Sequence, residues 1–411
     1  MLKIWLLLLA ALLLPGCSAD EASKVADGRT DSLVNGTVDG QARDAKSDGA
    51  KGGGEDNTDG RHNSGQNNGR GNGTRQNGAK EETHTPAPAS EPEAVADHLD
   101  VPWVIEKAGD TFYLTERPGT IVKIENGQVE RQTVAWKKKV AAVSEAGLLG
   151  FVLASDFSES KRAYAYYTYE ENGKLYNRIV TLRLRDGSWQ EEDVLLDRIP
   201  GARVHNGGRL KFGPDGKLYA TTGDAADAKI AQDRHSLGGK ILRMNPDGSI
   251  PDDNPFPNSY VYSYGHRNPQ GLTWLPDGTL FASEHGNSAN DEINRIEAGK
   301  NYGWPVIQGL DEQEGMVTPL FTSGDEETWA PSGMDNAGGK LYVAALQGSA
   351  VLEFDPAAGQ KRTFISGFGR IRDVRIEDGY LYFISNNTDG RGTPQPDDDK
   401  LYRVALDGGV R

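Results

Sequence analysis

Two residues with the chemistry of a general base and its orienting group lie at the two ends of one short segment. The segment His205-Asn-Gly-Gly-Arg-Leu-Lys-Phe-Gly-Pro-Asp-Gly-Lys-Leu-Tyr-Ala-Thr-Thr-Gly-Asp224 has the pattern of a hairpin-like unit, whose ends can return to the same side. A carboxylate at Asp224 that accepts the imidazole Nδ1–H would fix the tautomer of His205 and leave Nε2 free to take a proton. The alternative is a histidine that only hydrogen-bonds a loop, and the spacing leaves both open.

Four further residues offer groups that bind oxygen anions. Arg267 and Asn268 are adjacent on a loop shaped by Gly and Pro, and a guanidinium next to an amide suits carbonyl or carboxylate oxygens. Arg370 and Arg372 lie on one face of a predicted strand, where two guanidiniums repel each other unless an anion or a carboxylate lies between them. This pattern predicts a polyanionic ligand, and a solvated loop and strand face are the alternatives.

The segment from Glu284 to Asn294 is rich in carboxylate and amide oxygens around Gly286. Clustered oxygens of this kind, together with backbone carbonyls, are the ligands that calcium prefers, although the spacing is not that of an EF-hand. A polar loop without a metal is the alternative. The sequence has no Gly-x-Ser-x-Gly elbow, P-loop or dinucleotide-binding glycine pattern that opens a βαβ unit, which argues against a serine hydrolase, an NTPase and an NAD enzyme.

The elements that must position these residues repeat along the chain. The string Pro-Asp-Gly-x-Leu-aromatic-Ala-Thr/Ser occurs twice, from Pro214 and from Pro276, and predicts a tight turn leading into a buried strand. Related turns bring the total to six, marked by the aromatic residues Tyr113, Tyr166, Tyr219, Phe281, Tyr342 and Tyr382. Six units over residues 98–411 have about 52 residues each, the size of a propeller blade. We therefore predict an all-β, six-bladed β-propeller, with a pair of β-sandwiches as the alternative.

The chain before the propeller has a different composition. Residues 18–97 contain no Phe, Tyr or Trp and are dominated by Gly, Asn, Asp, Ser, Gln and charged residues, so we predict a disordered hydrophilic linker over residues 17–97. The net charge of -15 argues against a nucleic-acid partner, because a protein that binds the phosphate backbone needs a basic surface. Cys17 is the only cysteine, so the folded domain has neither a disulfide nor thiol catalysis.

The first residues resemble an export signal. Lys3 precedes the apolar run Ile4–Leu14, which is too short to cross a bilayer, and Leu14-Pro15-Gly16-Cys17 resembles a bacterial lipobox. Residues 1–16 are therefore predicted to be a lipoprotein signal peptide, with Cys17 acylated. The domain would then be exported and lipid-anchored to the outer face of the bacterial cell membrane. An ordinary signal peptide with an incidental cysteine is the alternative.

Several motifs together resemble the soluble glucose/sorbosone dehydrogenases, which are PQQ-dependent aldose sugar dehydrogenases with a six-bladed propeller. The resemblance covers about residues 98–411. It is carried by the segments His205–Tyr219, Leu237–Arg243, Tyr264–Leu272, Asp291–Asn294 and Gly299–Pro305. It implies oxidation of an aldose sugar at its anomeric carbon to the lactone, with PQQ and Ca²⁺ as cofactors and an external electron acceptor as partner.

The resemblance also implies roles for individual residues. His205 would be the general base that takes the proton of the anomeric hydroxyl while hydride passes to the quinone, and Asp224 would orient its ring. Cofactor-pocket positions are implied for Glu145, Arg267, Asn268, His285, Arg370 and Arg372. The backbone carbonyls of Gly286 and Asn287 would bind the calcium that anchors PQQ, with Asp291 nearby.

Three departures from the family pattern favour other hypotheses. Gln347 stands where the family usually has a cofactor-contacting lysine, Asn287 replaces a proline, and the stretch around Trp329 is shorter than the family's aromatic loop. Loss of a cation weakens the attraction for an anionic quinone. The alternatives are a non-catalytic propeller that binds a sugar or a protein, and a calcium-dependent lactonase on the same fold.

Overall fold

A computed structural model describes residues 90–406, which form six small β-sheets. The first strands of successive sheets contact one another, and the first strand of the sixth sheet contacts that of the first, so the sheets close into a ring. The predicted six-bladed β-propeller is confirmed. The predicted signal peptide 1–16, Cys17 and the linker up to residue 89 lie outside the described residues. Within residues 90–406, no helix is long and apolar enough to span a membrane.

The strands are antiparallel within each blade and follow one another outward from the ring axis, except for one parallel edge strand in blade 2. The chain enters the ring as β1 (Glu93–Ala96). Blade 1 contains β2 (Pro102–Ala108), β3 (Thr111–Glu116), β4 (Thr120–Glu125) and β5 (Gln128–Gln132). Blade 2 contains the edge strand β6 (Val134–Ala135), then β7 (Leu148–Leu153), the short helix α1 (Phe157–Ser160), β8 (Arg162–Glu171), β9 (Lys174–Arg185) and β10 (Ser188–Pro200).

The remaining blades are regular four-stranded sheets. Blade 3 contains β11 (Leu210–Phe212), β12 (Leu218–Thr222), a 3₁₀ turn (Ala228–Ala231), β13 (Lys240–Met244) and β14 (Val261–Tyr264). Blade 4 contains β15 (Pro269–Trp274), β16 (Leu280–Glu284), β17 (Glu292–Ile296) and β18 (Phe321–Thr322). Blade 5 contains β19 (Pro331–Ala337), β20 (Lys340–Ala345), β21 (Ala350–Asp355) and β22 (Gln360–Ser366). Blade 6 combines β23 (Ile371–Glu377), β24 (Tyr380–Ser385), β25 (Leu401–Ala405) and β1.

The repeated Pro-Asp-Gly turn joins the first two strands of blades 3 and 4. In blade 3, Oδ1 of Asp215 accepts the backbone N–H of Lys217 at 3.0 Å. In blade 4, Oδ1 of Asp277 accepts that of Thr279 at 2.9 Å, so the two turns are built in the same way. All six aromatic markers of the sequence pattern lie on the second strand of their blade and are buried there. The pattern counted the blades correctly because each second strand is covered on both faces.

Blade 6 is built from both ends of the folded domain. Its inner strands come from the C-terminal part of the chain, and its outermost strand is β1, in which Glu93 is paired with Arg403. The strand β1 lies inside residues 17–97, so the predicted boundary at residue 98 is too late. The sequence pattern missed β1 because it is a short edge strand that carries no aromatic residue.

The antiparallel order brings the start of each first strand next to the end of each second strand, on one face of the ring. His205, Asn268 and Arg370 lie before the first strands of blades 3, 4 and 6. Asp224 and His285 follow the second strands of blades 3 and 4. Residues that are distant in sequence therefore meet at this face.

Candidate active site

His205 and Asp224 are hydrogen-bonded to each other at one end of blade 3. Nδ1 of His205 lies 2.8 Å from Oδ1 of Asp224, and Nδ1 carries the proton because a carboxylate only accepts. Within residues 90–406, Nε2 of this ring has no hydrogen-bond partner, and 19% of the side chain is exposed. In its neutral form the ring thus presents Nε2 as an acceptor to a ligand, which is what a general base requires.

The glycines beside these residues let two chain segments approach closely. A Cβ on Gly223 would lie 2.0 Å from the carbonyl oxygen of His205, and a Cβ on Gly207 would lie 2.7 Å from that of Thr221. His205 itself has a φ of 56°, which is rare for a residue with a side chain. Its carbonyl accepts the backbone N–H of Ala225 at 3.1 Å, which holds this conformation.

Asp224 is held from its other side by Trp304, to which the sequence pattern assigned no role. The indole Nε1–H of Trp304 donates to Oδ2 of Asp224 at 2.8 Å, and the side-chain amide of Gln232 donates to the backbone carbonyl of Trp304 at 2.7 Å. Each oxygen of the buried Asp224 carboxylate thus serves a different donor, which fixes its orientation. Trp304 belongs to the motif Gly299–Pro305, and only the folded chain shows that this motif reaches Asp224.

His266, the histidine at the corresponding place in the second repeat, has a structural role. Its Nδ1 lies 2.8 Å from Oε2 of Glu284, its Nε2 lies 2.8 Å from the hydroxyl of Ser263, and its ring stacks on Tyr302 at 4.8 Å. The ring is fully buried. Both nitrogens of His266 are therefore occupied, and His205 is the histidine of the pair with a free one.

A cavity of about 210 Å³ is connected to His205 through one of its lining residues. Glu145 links the two, because it lines the cavity and its Oε2 accepts the backbone N–H of His205 at 3.1 Å. The charged residues that line the cavity are Arg117, Glu145, Arg372, Asp389 and Arg391. Three guanidiniums and two carboxylates leave an excess of positive charge, which suits an anionic ligand. Arg117, Asp389 and Arg391 were not predicted, because they lie in connections without a recognisable motif.

Asp389 is the carboxylate that separates Arg370 from Arg372. Its Oδ2 accepts from Nη2 of Arg370 at 2.8 Å and lies 3.9 Å from Nη2 of Arg372. Arg372 also donates to Oε1 of Gln270 at 3.0 Å. Burial lowers the pKa of Arg372 to about 9, so its guanidinium remains charged at pH 7. The two arginines predicted to meet a polyanion are thus partly neutralised by the chain itself.

His285 and Glu145 line the same cavity, and they differ in charge at pH 7. Burial lowers the pKa of His285 to about 4, so the ring is neutral at pH 7, and its Nε2 lies 3.2 Å from Oε1 of Gln270. Burial opposes ionisation of Glu145, but the backbone amide of His205 and the guanidinium of Arg391 hold its pKa below the usual value. Glu145 is therefore a carboxylate, and its Oε1 lies 2.8 Å from Nη1 of Arg391.

Arg267 and Asn268 contribute in different ways. The Oδ1 of Asn268 accepts the backbone N–H of Gly207 at 2.9 Å, so this residue braces the loop after His205. Arg267 lies over the Trp304 ring at 5.5 Å, and its buried Nε has no hydrogen-bond partner within residues 90–406. An unpaired buried donor costs free energy that a bound oxygen would recover.

The loop after β16 holds the residues predicted to bind calcium. A Cβ on Gly286 would lie 2.0 Å from the carbonyl oxygen of Ala289, so the loop folds tightly against itself. Asp291 is the centre of this loop: its Oδ1 accepts the N–H of Gly286 at 2.8 Å, and its Oδ2 accepts from Thr328 at 2.7 Å and from the backbone of Ala330 at 2.8 Å. Its oxygens are thus occupied by donors. Within residues 90–406, no cluster of three or more His, Cys, Asp or Glu is arranged to hold a metal.

Two backbone carbonyls of this loop are bound only weakly by the Arg267 side chain. Arg267 makes only long contacts with them, at 3.5 Å to the carbonyl of His285 and 3.4 Å to that of Asn287. Hydrogen bonds of this length are weak, so each carbonyl oxygen can still bind a stronger partner. Of the predicted ligands, the carbonyl of Asn287 therefore has more capacity left for a further partner than the Asp291 carboxylate does.

The two family departures at the rim lie away from the cavity. Gln347 is exposed, while its neighbour Leu346 lines the cavity. Trp329 is buried and packs against Phe354 with ring centroids 5.4 Å apart. Its side chain is therefore part of the core of blade 5, as expected from the short stretch around it.

The sequence profile of the glucose/sorbosone dehydrogenases matches residues 99–402, the part of the chain that carries this site. The chain belongs to this family. Aldose sugar dehydrogenase YliI of Escherichia coli strain K12 is 31% identical over 335 residues, which cover 72% of this chain and 90% of that protein. Quinoprotein glucose dehydrogenase B of Acinetobacter calcoaceticus is 35% identical over 247 residues, about half of each chain.

Solved structures agree with this membership. The PQQ-bound form of the aldose sugar dehydrogenase from Streptomyces coelicolor superposes with a TM-score of 0.71 at 36% identity, and covers 78% of this chain and 100% of that one. A putative oxidoreductase (glucose dehydrogenase) from Thermus thermophilus superposes with the same TM-score at 40% identity, and covers 76% of this chain and 99% of that one. The family resemblance inferred from the motifs is confirmed.

Proposed function

We propose that this sugar dehydrogenase family member oxidises an aldose at its anomeric carbon to the lactone, with PQQ and calcium as cofactors. The observation that carries the proposal is the hydrogen-bonded chain from Trp304 through Asp224 to His205, whose Nε2 is unpaired within residues 90–406 and whose backbone N–H is bound by Glu145 of a cation-lined cavity. The names of the relatives support it, since they include an aldose sugar dehydrogenase and a quinoprotein glucose dehydrogenase.

The residues of the cavity suit PQQ, which carries several carboxylates. Arg372 offers a buried charge in the cavity, and the unpartnered Nε of Arg267 offers a donor in the adjacent pocket, which shares His285 with the cavity. The backbone carbonyls of Gly286 and Asn287 would hold the calcium ion. When bound, PQQ would supply the acceptor for the hydride, and thus for the two electrons, that the sugar loses.

The proton of the anomeric hydroxyl would pass to Nε2 of His205. The ring then carries a positive charge, which the Asp224 carboxylate stabilises across the 2.8 Å hydrogen bond. Trp304 keeps that carboxylate from turning away. An external electron acceptor would complete the cycle.

The test is reconstitution of the apoprotein with PQQ and calcium, followed by dye reduction with a panel of aldoses. We expect sugar-dependent reduction that His205→Ala lowers by about 10²-fold or more, because general bases contribute about 10²- to 10⁴-fold. Lack of turnover with every aldose, or a wild type no faster than His205→Ala, would overturn the proposal.

A non-catalytic propeller is the second candidate. It is favoured by one observation: Arg370 is already paired with Asp389, so this cation needs no bound anion. Calorimetry separates the two candidates. Sugar binding by a protein that does not bind PQQ would support the second candidate over the first.

We further propose that Cys17 carries the lipid that anchors the protein to the outer face of the bacterial cell membrane. The support is the apolar run before Cys17 and the lipobox-like Leu14-Pro15-Gly16-Cys17. Labelling of cells with a tagged fatty acid should mark the wild type and not Cys17→Ser. Equal labelling of both proteins would contradict the anchor.

A further inference from the structure

Arg117 is a cation of the cavity for which the chain provides no partner. It follows β3 directly, and its side chain lines the cavity beside Glu145 and Asp389. Within residues 90–406 its guanidinium makes no hydrogen bond and no ion pair. The other cavity arginines differ, because Arg372 donates to Gln270 and Arg391 is paired with Glu145.

The stem of Arg117 is held in place by the chain. Its backbone carbonyl accepts the N–H of Leu148 at 2.9 Å. A Cβ on Gly147 would lie 2.5 Å from Cγ of Arg117, so the glycine provides the room in which the stem packs. The side chain is therefore placed at the cavity before any ligand arrives, which lowers the entropic cost of using it.

The guanidinium of Arg117 is in an unfavourable environment when no ligand is bound. Burial lowers the pKa of Arg117, and attraction to Asp389 and Glu145 offsets this only in part, since neither carboxylate contacts the guanidinium. A partly desolvated cation without a direct partner is unfavourable. A carboxylate in the cavity would restore the missing contacts, and a guanidinium binds a carboxylate through two parallel hydrogen bonds.

We propose that Arg117 binds a carboxylate of the ligand that occupies this cavity. This inference about Arg117 rests on the proposed function. The carboxylate that it binds has two sources. It belongs either to the PQQ cofactor or to an acidic sugar, a uronic acid, that enters as the substrate. In both cases Arg117 is a binding residue that touches the ligand.

The experiment compares wild type, Arg117→Gln and Arg117→Lys, with Arg185→Gln as the control. Arg185 lies on the outer part of blade 2, where its exposed side chain is paired with Glu192, so the control removes the same charge far from the cavity. Apoprotein is titrated with PQQ by absorbance, and glucuronate and glucose are titrated by calorimetry. Thermal unfolding of each variant establishes that it is folded.

If the carboxylate belongs to the cofactor, Arg117→Gln should weaken PQQ binding by about 10- to 100-fold, as expected for the loss of one charged hydrogen-bonded contact. Arg117→Lys should lose less, because it keeps the charge. A carboxylate from the substrate predicts instead that Arg117→Gln loses glucuronate affinity by the same factor while glucose and PQQ binding stay unchanged.

The inference is overturned if folded Arg117→Gln binds PQQ and glucuronate as tightly as Arg185→Gln. It is also overturned if the wild type binds neither carboxylate. Failure of the proposed function has a different result. In that case the wild type does not bind PQQ. The role of Arg117 is then still measured by the difference between wild type and Arg117→Gln in their preference for glucuronate over glucose.

Discussion

The carboxylate of Asp224 accepts from three donors, namely His205 and the backbone N–H of Ala226 at Oδ1 and Trp304 at Oδ2, so replacing it with an amide has a calculable consequence. Asp224→Asn keeps the shape and leaves one oxygen and one N–H₂ group. If the oxygen faces His205, the N–H₂ group faces the indole N–H of Trp304, which lies 2.8 Å from the present oxygen. If the amide is flipped, its N–H₂ group faces Nδ1 of His205 and drives the proton to Nε2, which removes the base, and the backbone N–H of Ala226 loses its acceptor.

Either orientation leaves a buried donor without an acceptor, at a cost of about 1–3 kcal/mol. That alone is roughly a 5- to 150-fold effect, since about 1.4 kcal/mol is a factor of ten. Loss of the base adds to it, so we expect kcat/KM for aldose oxidation to fall by about 10²- to 10⁴-fold. The assay is dye reduction by the reconstituted protein, with PQQ and calcium saturating.

A second substitution tests the reasoning. Trp304→Phe removes the indole donor and keeps an aromatic ring, so the amide of Asp224→Asn can turn its oxygen to His205. The double variant should then be at least about tenfold faster than Asp224→Asn alone. A fully active Asp224→Asn protein, or a double variant no faster than the single one, would refute the account of how this site orients its base.

Other predictions concern the two histidines, a buried acid and the loop glycine. His205→Ala should lower turnover by about 10²-fold or more with little loss of stability. His266→Ala should cost about 3 kcal/mol in urea unfolding because it removes the partner of Oε2 of the buried Glu284 carboxylate, and equal stability losses would contradict this. Burial raises the pKa of Glu292 to about 8, because the folded protein favours the uncharged side chain. The free energy of unfolding therefore has its full contribution from Glu292 below pH 4.5, and this contribution is lost as the pH rises through 8. Urea unfolding of Glu292→Gln should therefore lack a slope of up to about 1.4 kcal/mol per pH unit that the wild type shows. Gly286→Ala should weaken calcium-dependent PQQ binding by about tenfold because the new methyl group meets a carbonyl oxygen; Gly278→Ala, which meets nothing within 4 Å, is the control and should bind normally.

The ring of blades could be predicted from the sequence because each blade repeats the same local rule. A tight turn feeds a second strand that is covered on both faces, and an aromatic residue marks that strand, as Tyr219 and Phe281 do. The hydrogen bond between His205 and Asp224 was also predictable, since both residues flank one two-stranded unit. The spacing of residues within one blade is therefore enough to predict both the blade repeat and this hydrogen bond.

The rest of the site depends on contacts that spacing does not encode. Trp304 reaches Asp224 from the long connection inside blade 4, and Asp389 reaches Arg370 from the connection between β24 and β25. Such connections have no repeat, and their course is set by packing against other blades. The same reason explains why Arg117 was missed: nothing in Thr-Glu-Arg-Pro shows that its side chain enters a cavity.

Closure of the ring has a consequence for how the protein is made. Glu93 and Arg403 are partners in one sheet although they are 310 positions apart in the chain. The strand β1 leaves the ribosome among the first parts of the propeller, yet its partner is among the last, so β1 must stay unpaired while five blades form. Contacts of such long range form slowly, and an unpaired strand can pair with another chain. We therefore expect the meeting of these two ends to be slower and more exposed to mispairing than the assembly of blades 3 and 4 around His205.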